Sequence, residues 1–498
     1  MYHIVTSEEM KKMEQKTMEG FGLSSLVLME RAALSVWDCI DEYGIPAEQT
    51  LIVCGTGNNG GDGLAIGRIL YENGYDPIIV MIGNREQCTE SVRTQLKTLE
   101  SYGISVYDTI PQGAYTTVID ALFGIGLNRN IEGIYADAIT QMNAIEAVKI
   151  AIDLPSGIHA DSGKVMGCAF SADITVTFAY QKVGTLLYPG ADYVGKLIVK
   201  NIGIIEHAYE ALKPQMTAYD REDIILPEKP AYSHKGTYGK VLAVAGSKNM
   251  CGAALLCAEA AYRMGAGMVK ILTEDSNREI IQERLPEAML ETYEPNQIKT
   301  ERIGQGIAWA DVILMGPGMS QSETAKQIVR YVLQNSTCPI VLDADALNII
   351  ATDNLEQYFN NRDVIVTPHL GEMTRLAHQE AQDIQSNIIE SAHEYAKKHQ
   401  ITCVLKDART IVSAPGEPDY INLSGNSGMA TAGAGDVLCG VITGLLAQKV
   451  PGYRAATLGV YLHGLAGDVA EEKYGKHAML ATDILNELKQ MIHSEATI

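Results

Sequence analysis

The sequence from Gly425 to Leu446 reads GNSGMATAGAGDVLCGVITGLL, in which glycines and small residues lead through an acid into an apolar run. Its centre is Gly433-Ala434-Gly435-Asp436. The apolar run predicts a helix, and the first turn of a helix carries unpaired N–H groups that favour an anion. A carboxylate there opposes simple anion binding but is useful where a hydroxyl must lose a proton beside a phosphate. Asp436 is therefore a candidate general base.

The alternative for this motif is a glycine-rich helix cap with a capping aspartate. Short motifs match by chance, so GxGD alone favours that alternative. The choice between the two depends on the polar clusters elsewhere in the chain.

Length and composition indicate a multidomain protein, because 498 residues exceed one ordinary core. The net charge of -22, from 39 basic and 61 acidic residues, predicts no binding to nucleic acid or to an anionic membrane. Nine scattered cysteines without a CxxC pair argue against a disulfide framework and predict a cytoplasmic protein. A polar N-terminus and the lack of a long apolar run predict neither a signal peptide nor a membrane span.

In the first half, a predicted strand at Thr50 to Cys54 is followed by the loop GTGNNGGDG and by a helix from Leu64 to Asn73. Strand, glycine loop and helix form a nucleotide-binding βα unit. The loop matches neither the dinucleotide GxGxxG pattern nor a Walker A loop. It carries instead Asn58, Asn59 and Asp62, a combination that a binding site explains better than a turn does.

Two later strands, Thr116 to Ile119 and Val148 to Ile152, are followed by the acids Asp120 and Asp153. Helical segments between the strands predict a parallel sheet with helices on both faces. Ligands bind beyond the carboxyl ends of such strands. The oxygens gathered there suit a hard cation or proton transfer, whereas the alternative is that both acids cap helices or turns. The side chains expected to converge are those of Asn59, Asp120, Asp153 and Ser156.

Prolines and charges interrupt the periodicity between the halves, so we place the boundary at Pro214 to Ala218, giving domains 1–214 and 218–498. In the second domain, apolar runs that alternate with helical segments predict another α/β layer, with polar and glycine clusters after its strands. His369 alone is more typical of a capped or buried histidine, but it belongs to one of five such clusters. The strands are Val241 to Ala245, Met268 to Leu272, Asp311 to Met315, Ile340 to Leu342, Val364 to Val366 and Thr402 to Leu405.

The motifs GNNGGDG, DALFGIGLNR, DLPSG and YQKVG resemble the NAD(P)HX epimerase family, also called the YjeF N-terminal family. That family has a Rossmann-like three-layer α/β fold and interconverts the C6 epimers of hydrated NADH or NADPH. The resemblance implies that Asp153 binds substrate as an acid/base residue. It leaves Lys182 open between a second polar catalyst and a snorkelling surface lysine. The implied potassium ligands are Asn59, Asp120 and Ser156, and the further substrate contacts are Asn58, Asn59, Gly60, Gly61, Asp62, Gly124, Ile125, Gly126, Leu127, Asn128, Arg129, Asn130 and Tyr135.

The motifs GPG, DADALN, TPHLGE and NSGMATAGAGDVLCG are similar to those of the ADP-dependent NAD(P)HX dehydratases, a ribokinase-like α/β branch. The resemblance places Asp436 at the reacting C6 hydroxyl of the substrate. One departure is Met319-Ser320, which follows GPG where Leu-Gly is expected. The implied contacts to the hydrated nucleotide are Ala253, Gly318, His369 and Asp436, and those to the adenine nucleotide are Lys406, Asp407, Ala408, Arg409, Thr410 and Gly435.

The sequence therefore predicts a bifunctional enzyme that repairs hydrated NAD(P)H. Phosphorylation of the C6 hydroxyl would replace hydroxide, a poor leaving group, by phosphate, with AMP and phosphate released. The expected small molecules are NADHX, NADPHX and ADP with Mg²⁺, together with K⁺ in the first domain, and a homo-oligomer is expected. Two alternatives stay open: a ribokinase-type small-molecule kinase, which GAGD alone supports, and a nucleotide-sensing protein without turnover.

Overall fold

The computed structural model describes residues 1–205, 215–295, 297–359 and 362–495. The chain divides into two compact units, one of His3–Gln215 and one of Met1–Tyr2 with Met216–Ile498. The division falls inside the predicted boundary region, although Pro214 itself lies outside the described residues. The assignment of one activity to each unit stays a prediction.

The first unit alternates strands and helices along the chain, as the sequence predicted. In chain order its elements are β1 (Tyr2–Val5), α1 (Ser7–Phe21), α2 (Ser25–Glu42), β2 (Thr50–Cys54), α3 (Asn58–Glu72), β3 (Ile78–Met81), α4 (Glu90–Tyr102), β4 (Val106–Tyr107), β5 (Thr117–Ala121), α5 (Ile134–Ala144), β6 (Val148–Ile152), β7 (Ile174–Phe178), β8 (Gln181–Lys182) and β9 (Lys196–Lys200).

The main sheet of this unit is parallel and has the strand order β4-β3-β2-β5-β6-β7-β9. Both of its faces are buried, because Ile52 and Cys54 pack into one apolar cluster while Leu51 and Val53 pack into another. The strand order reverses between β2 and β5, and ligands bind at such a reversal in open α/β sheets. Strands β1 and β8 also pair with each other in parallel.

The glycine-rich segment after β2 is more helical than the sequence predicted. Helix α3 begins at Asn58 rather than Leu64, so Asn58 to Asp62 lie in its first turns and not in a loop. Glycine disfavours helices in isolation, but packing overrides that preference here. A Cβ atom on Gly60 would lie 1.9 Å from the carbonyl oxygen of Gly55, so only glycine permits this approach. Asp120 is likewise inside β5 rather than after it.

The second unit is also an α/β layer. Its strand order is β13-β12-β11-β14-β15-β16-β17-β18-β19-β10, and the β17–β18 and β18–β19 pairs are antiparallel. Its elements are β10 (Met216–Ala218), β11 (Lys240–Val244), α6 (Cys251–Arg263), β12 (Met268–Glu274), α7 (Arg278–Arg284), β13 (Met289–Tyr293), α8 (Thr300–Trp309), β14 (Val312–Met315), α9 (Glu323–Asn335), β15 (Ile340–Leu342), α10 (Ala344–Asp353), β16 (Val364–Val366), α11 (Leu370–Ala377), α12 (Ala381–Ser386), α13 (Ile388–His399), β17 (Thr402–Leu405), β18 (Ile411–Ser413), β19 (Asp419–Ile421), α14 (Ala434–Ala447), α15 (Gly452–Tyr474) and α16 (Ala481–Glu495).

Helix α14, which follows the GAGD turn, is the core helix of the second unit. Its residues from Val437 to Ala447 are all buried. Glycines let it lie against α6, since a Cβ atom on Gly440 would sit 2.3 Å from the carbonyl oxygen of Cys257. None of the helices in the described ranges has the length and hydropathy that a membrane crossing requires.

The contact between α14 and α6 predicts that Gly440→Ala destabilises the second unit. The added methyl group meets backbone, so the two helices must separate, which typically costs about 1–3 kcal/mol. Urea unfolding of the full chain measures this loss. Gly452→Ala is the matched control, because a Cβ atom there meets nothing within 4 Å. Equal stability of the two variants would contradict the packing described.

Candidate functional sites

A cavity of about 590 Å³ opens in the first unit beyond the carboxyl ends of β2 and β5. Its position is the strand-order reversal of the sheet, where a ligand was expected. The predicted substrate residues that line it are Asn58, Asn59, Asp62, Gly124, Ile125, Gly126, Leu127, Asn128, Arg129 and Asp153, together with Lys182. The predicted residues outside the lining are Gly60, Gly61, Asn130, Tyr135, Asp120 and Ser156.

The residues outside the lining support the cavity wall. A side chain on Gly61 would collide with Met29. The ring of Tyr135 packs on Phe123 with 5.0 Å between centroids. The structure therefore gives Gly61 and Tyr135 packing contacts, and their predicted contacts with substrate stay predictions.

Asp153 is held in place by a buried lysine. The Lys182 ammonium donates to Asp153 Oδ1 at 2.5 Å, to the Phe178 carbonyl oxygen at 2.8 Å and to Thr177 Oγ1 at 3.0 Å. These three bonds use all three of its protons. The Lys182 side chain is 1% exposed, so the surface-lysine interpretation is wrong. Asp153 Oδ2 has no hydrogen bond to a described residue, which leaves that oxygen for a ligand.

The backbone of Asp153 is also unusual, with φ of 67°. Residues other than glycine rarely adopt this left-handed conformation, although Asp and Asn are enriched among those that do. The conformation is held by hydrogen bonds from Asp153 N to Val176 O at 2.8 Å and from Leu154 N to Ile152 O at 2.8 Å. Such strain concentrates at functional sites.

Asp120 and Ser156, predicted as cation ligands, lie in direct contact. Asp120 accepts hydrogen bonds from Ser156 N at 2.7 Å, Ser156 Oγ at 2.6 Å and Leu122 N at 3.2 Å. Asp120 therefore also does what the turn-capping alternative predicted. Burial raises the pKa of the Asp120 carboxyl to about 6.

The third predicted ligand, Asn59, faces the same loop, because a Cβ atom on Gly124 would lie 3.4 Å from Asn59 Oδ1. Its amide Nδ2 is buried without a hydrogen-bond partner among the described residues. The oxygen and nitrogen of an amide exchange places by a flip. A cation bound by the flipped amide oxygen would satisfy this group, so the carboxylate, hydroxyl and amide fit a hard monovalent ion.

Sequence reasoning missed the wall that α1 contributes to the cavity. The helix begins with a capping box, in which Thr6 N donates to Glu9 Oε2 at 2.8 Å and Glu9 N donates to Thr6 Oγ1 at 3.2 Å. Met10, Glu14 and Met18 then line the cavity at four-residue spacing. That spacing is visible in the sequence, but nothing local distinguishes it from a second core-facing stripe.

Three charged residues of the second unit, Asp343, Lys406 and Asp436, lie at the GAGD turn. Lys406 donates to Asp343 Oδ1 at 2.7 Å, and a Cβ atom on Gly435 would lie 3.3 Å from Lys406 Nζ. Burial, followed by the charge of Asp343, raises the pKa of the Asp436 carboxyl to about 6. The Asp436 carboxylate makes no hydrogen bond to any described residue, so the capping-aspartate interpretation is wrong.

His369 caps helix α11, as the alternative interpretation predicted. Its Nδ1 accepts from Gly371 N at 3.0 Å and from Glu372 N at 3.3 Å, while Glu372 Oε2 accepts from His369 N at 2.9 Å. Its backbone bridges to Lys406, which places the ring beside the charged cluster. The cap fixes the ring through Nδ1, and a ligand contact through Nε2 stays a prediction.

Ala253 and Gly318 are brought together, since a Cβ atom on Gly318 would lie 2.9 Å from the Ala253 methyl group. Two residues further on, Ser320 has φ of 64°, the conformation that the expected glycine adopts without strain. Its N–H donates to Asp345 Oδ2 at 2.8 Å, which holds the loop in this shape.

The predicted adenine-nucleotide residues after Lys406 lie in the connection from β17 to β18. Arg409 donates to the Leu423 carbonyl oxygen at 3.3 Å, and the Thr410 carbonyl accepts from Asn422 N at 2.9 Å. Asp407 and Ala408 share this connection. In the described part of the chain, no cluster of three or more His, Cys, Asp or Glu side chains could hold a metal ion.

Comparisons with known proteins match both units and the whole chain. A family described as NAD(P)H-hydrate dehydratase matches residues 241–490, and one described as YjeF-related protein N-terminus matches residues 25–184. The bifunctional NAD(P)H-hydrate repair enzyme of Moorella thermoacetica is 36% identical over 99% of this chain and 97% of its own. The chain belongs to the bifunctional NAD(P)H-hydrate repair enzyme family.

Other relatives agree with this membership. The enzyme of the same name from Thermofilum pendens is 34% identical over 98% of this chain and 95% of its own. A ribokinase-like superfamily protein of Enterococcus faecalis has a TM-score of 0.52 and 30% identity over 56% of this chain and 96% of its own. The predicted fold class, a Rossmann-like α/β unit followed by a ribokinase-like α/β unit, is confirmed.

The buried ion pair predicts that Lys182→Met destabilises the first unit at neutral pH. Removing the ammonium leaves the Asp153 carboxylate without a cation, and such changes cost about 3–5 kcal/mol. Urea unfolding measures the loss. Lys200→Met is the matched control, since its exposed pair with Glu42 contributes about 1 kcal/mol at most. Adding Asp153→Asn to Lys182→Met should recover part of the loss; a loss no larger than that of the control would contradict this account.

Proposed function

We propose that this chain carries both activities of its family: epimerisation of R- and S-NAD(P)HX in the first unit, and ADP-dependent dehydration of S-NAD(P)HX to NAD(P)H in the second. Each unit offers one acid with an oxygen free to act as a base, Asp153 and Asp436. The observation that carries the proposal is the free Asp436 carboxylate beside Lys406 and the N–H groups of the GAGD turn.

In the second unit, Asp436 would take the proton of the C6 hydroxyl as that oxygen attacks the terminal phosphorus of ADP. The raised pKa of about 6 leaves Asp436 ionised at neutral pH but more basic than an exposed aspartate. Lys406 and the first N–H groups of α14 would stabilise charge on the transferred group. Phosphate then leaves C6 with the electron pair of the C6–O bond, C5 loses a proton to the departing phosphate or to water as the C5=C6 double bond re-forms, and AMP is the other product.

Magnesium fits this site as a companion of the nucleotide, because Mg²⁺ keeps several waters and is bound chiefly through substrate phosphates. When bound, it would neutralise phosphate charge. The chain's own residues supply the rest: Lys406 is fixed by Asp343, and Gly435 leaves open the space that a side chain would fill beside the ammonium.

In the first unit, Asp153 Oδ2 would exchange a proton with the C6 hydroxyl, and Lys182 acts as a positioning residue because its protons are committed. Asn59, Asp120 and Ser156 would hold K⁺, which would supply positive charge near the loop at 122–129. A homo-oligomer, a cytoplasmic location and preference for ADP stay predictions.

Two substitutions should separate the activities. Asp436→Asn should slow dehydration of the S epimer by about 10²–10⁴-fold and leave epimerisation unchanged. Asp153→Asn should slow epimerisation by a similar factor and leave dehydration unchanged. Recovery of reduced-nicotinamide absorbance measures dehydration, and chromatographic separation of the epimers measures epimerisation.

The same measurements distinguish the alternatives. A chain that transfers phosphate to another small alcohol, with no absorbance recovered, would be a kinase of the ribokinase type. Unchanged dehydration by Asp436→Asn would refute the mechanism. Nucleotide binding without any turnover by the unsubstituted chain would favour the nucleotide-sensing protein.

Binding of K⁺ at the proposed site should stabilise the first unit whether or not any reaction takes place. Replacing tetramethylammonium by K⁺ at equal ionic strength should stabilise the first unit by about 1–3 kcal/mol once the ion is well above its Kd. Thermal unfolding measures this shift. Asp120→Asn should remove the response, while Asp108→Asn, an exposed acid in the same unit, should keep it. A response that survives Asp120→Asn would exclude this site.

A further inference from the structure

Glu14 lies in the cavity wall of the first unit but belongs to none of the four motifs that indicated the site. It projects from α1 between Met10 and Met18, one turn from each, and all three residues line the cavity. Its carboxyl has no hydrogen-bond or ion-pair partner among the described residues. A half-buried acid without a partner is costly to keep unless it is protonated or serves a ligand.

Three carboxyls from three separate elements face this cavity: Glu14 from α1, Asp62 from α3 and Asp153 after β6. The cations in the lining are Lys182, which is committed to Asp153, and the exposed side chains of Lys11 and Arg129. Burial, followed by the charge of Asp153, raises the pKa of the Glu14 carboxyl to about 7. Burial and the charges of Asp153 and Glu14 raise the pKa of the Asp62 carboxyl well above its ordinary value.

We propose that Glu14 is a second catalytic acid/base of the epimerase site and works on the ring nitrogen while Asp153 works on the C6 hydroxyl. This inference rests on the proposed epimerase function. Glu14 would be a proton donor in this site. Lys182 cannot serve as that donor, because its three ammonium protons are used in hydrogen bonds within the protein.

The chemistry of the substrate gives such a pair two atoms on which to act. C6 carries a hydroxyl and is bonded to N1, so it is a hemiaminal carbon. Asp153 takes the hydroxyl proton, the C6–O bond becomes a carbonyl, the C6–N1 bond breaks and its electron pair goes to N1. Glu14 donates a proton to N1, giving an open aldehyde. After rotation about C5–C6, N1 adds to the other carbonyl face, Glu14 takes its proton back, and Asp153 returns a proton to the oxygen.

Glu14 suits this step better than Asp62 for two reasons. General acid catalysis is most efficient when the pKa of the donor lies near the working pH, so that the group gives and regains its proton within one cycle. Burial, followed by the charges of two neighbouring acids, raises the pKa of the Asp62 carboxyl, which suits that carboxyl to donating a hydrogen bond to substrate instead. The wall around Glu14 is apolar, with Met10 and Met18 on either side, which suits a reduced ring.

The test follows conversion of pure S epimer into R by chromatography, with no ADP present so that dehydration is idle. Glu14→Gln in the full chain should lower the epimerase kcat by about 10²-fold with KM changed less than about threefold. The unsubstituted chain should lose rate as pH rises through about 7, since the acid form of Glu14 disappears, and Glu14→Gln should lack that fall.

Glu19→Gln, an exposed acid on the same helix, is the matched control and should behave as the unsubstituted chain. Glu14→Asp keeps a carboxyl and should retain the fall in rate with pH at reduced kcat, which a merely structural role for Glu14 does not predict. A urea unfolding curve like that of the unsubstituted chain shows that the first unit of each variant is folded. If the unsubstituted chain does not epimerise, the proposed function fails, independently of Glu14. If Glu14→Gln retains kcat within threefold, or if Asp62→Asn rather than Glu14→Gln removes the pH dependence, the inference is overturned.

Discussion

Parallel pairing of buried strands is the constraint on which both sites depend. Between two parallel strands the chain must cross back to the end of the sheet where the first strand began. The carboxyl ends of all such strands, and the connections that follow them, therefore lie at the same end of the sheet. Asn59, Asp120 and Asp153 are far apart in sequence and follow or end three such strands. The sheet brings them to one end although they are distant along the chain, and β14, β15 and β17 do the same for Gly318, Asp343 and Lys406.

The two sites handle charge in the same way. Each pairs a lysine ammonium with one aspartate, the buried Lys182 with Asp153 in the first unit and the partly exposed Lys406 with Asp343 in the second. Each then keeps a further acid nearby that has no such partner and a raised pKa, Glu14 and Asp436. Pairs of acids in contrasting environments are the arrangement that supplies a proton acceptor and a proton donor at one pH.

Much of the sheet could be predicted from the sequence, because buried parallel strands are short apolar runs bounded by glycine and acids. The strands at Val148–Ile152, Ile340–Leu342, Val364–Val366 and Thr402–Leu405 have the predicted bounds. The three-residue strands β18 and β19 were missed, since so short a segment shows no periodicity. The sequence predicts too late a start for α3 because glycine content is a local penalty, whereas the contacts of Gly61 with Met29 and of Gly63 with Ala121 are tertiary.

Side-chain burial is the part that sequence could not supply. The sequence does not distinguish a surface position of Lys182 from a catalytic one, because the residues of a two-residue strand look the same in both cases. The three oxygens that accept hydrogen bonds from its ammonium show that it is buried. Glu14 was missed for a related reason, since its spacing from Met10 and Met18 also fits a core stripe. His369 shows the reverse, because its cap is a local contact that the pattern TPHLGE already allowed.

The proposed chemistries explain why the two units need different numbers of acids. Epimerisation has no co-substrate to activate a leaving group. In the proposed route the chain both removes and supplies a proton around one ring, which two acid/base groups facing the same cavity would do. Dehydration draws on the phosphoryl group of ADP, which turns the hydroxyl into phosphate. That step needs one base and several N–H or ammonium donors, as Asp436, Lys406 and the first turn of α14 provide. In the second unit the unpaired Asp436 therefore lies in the first turn of α14, and in the first unit Glu14 and Asp153 line the same cavity.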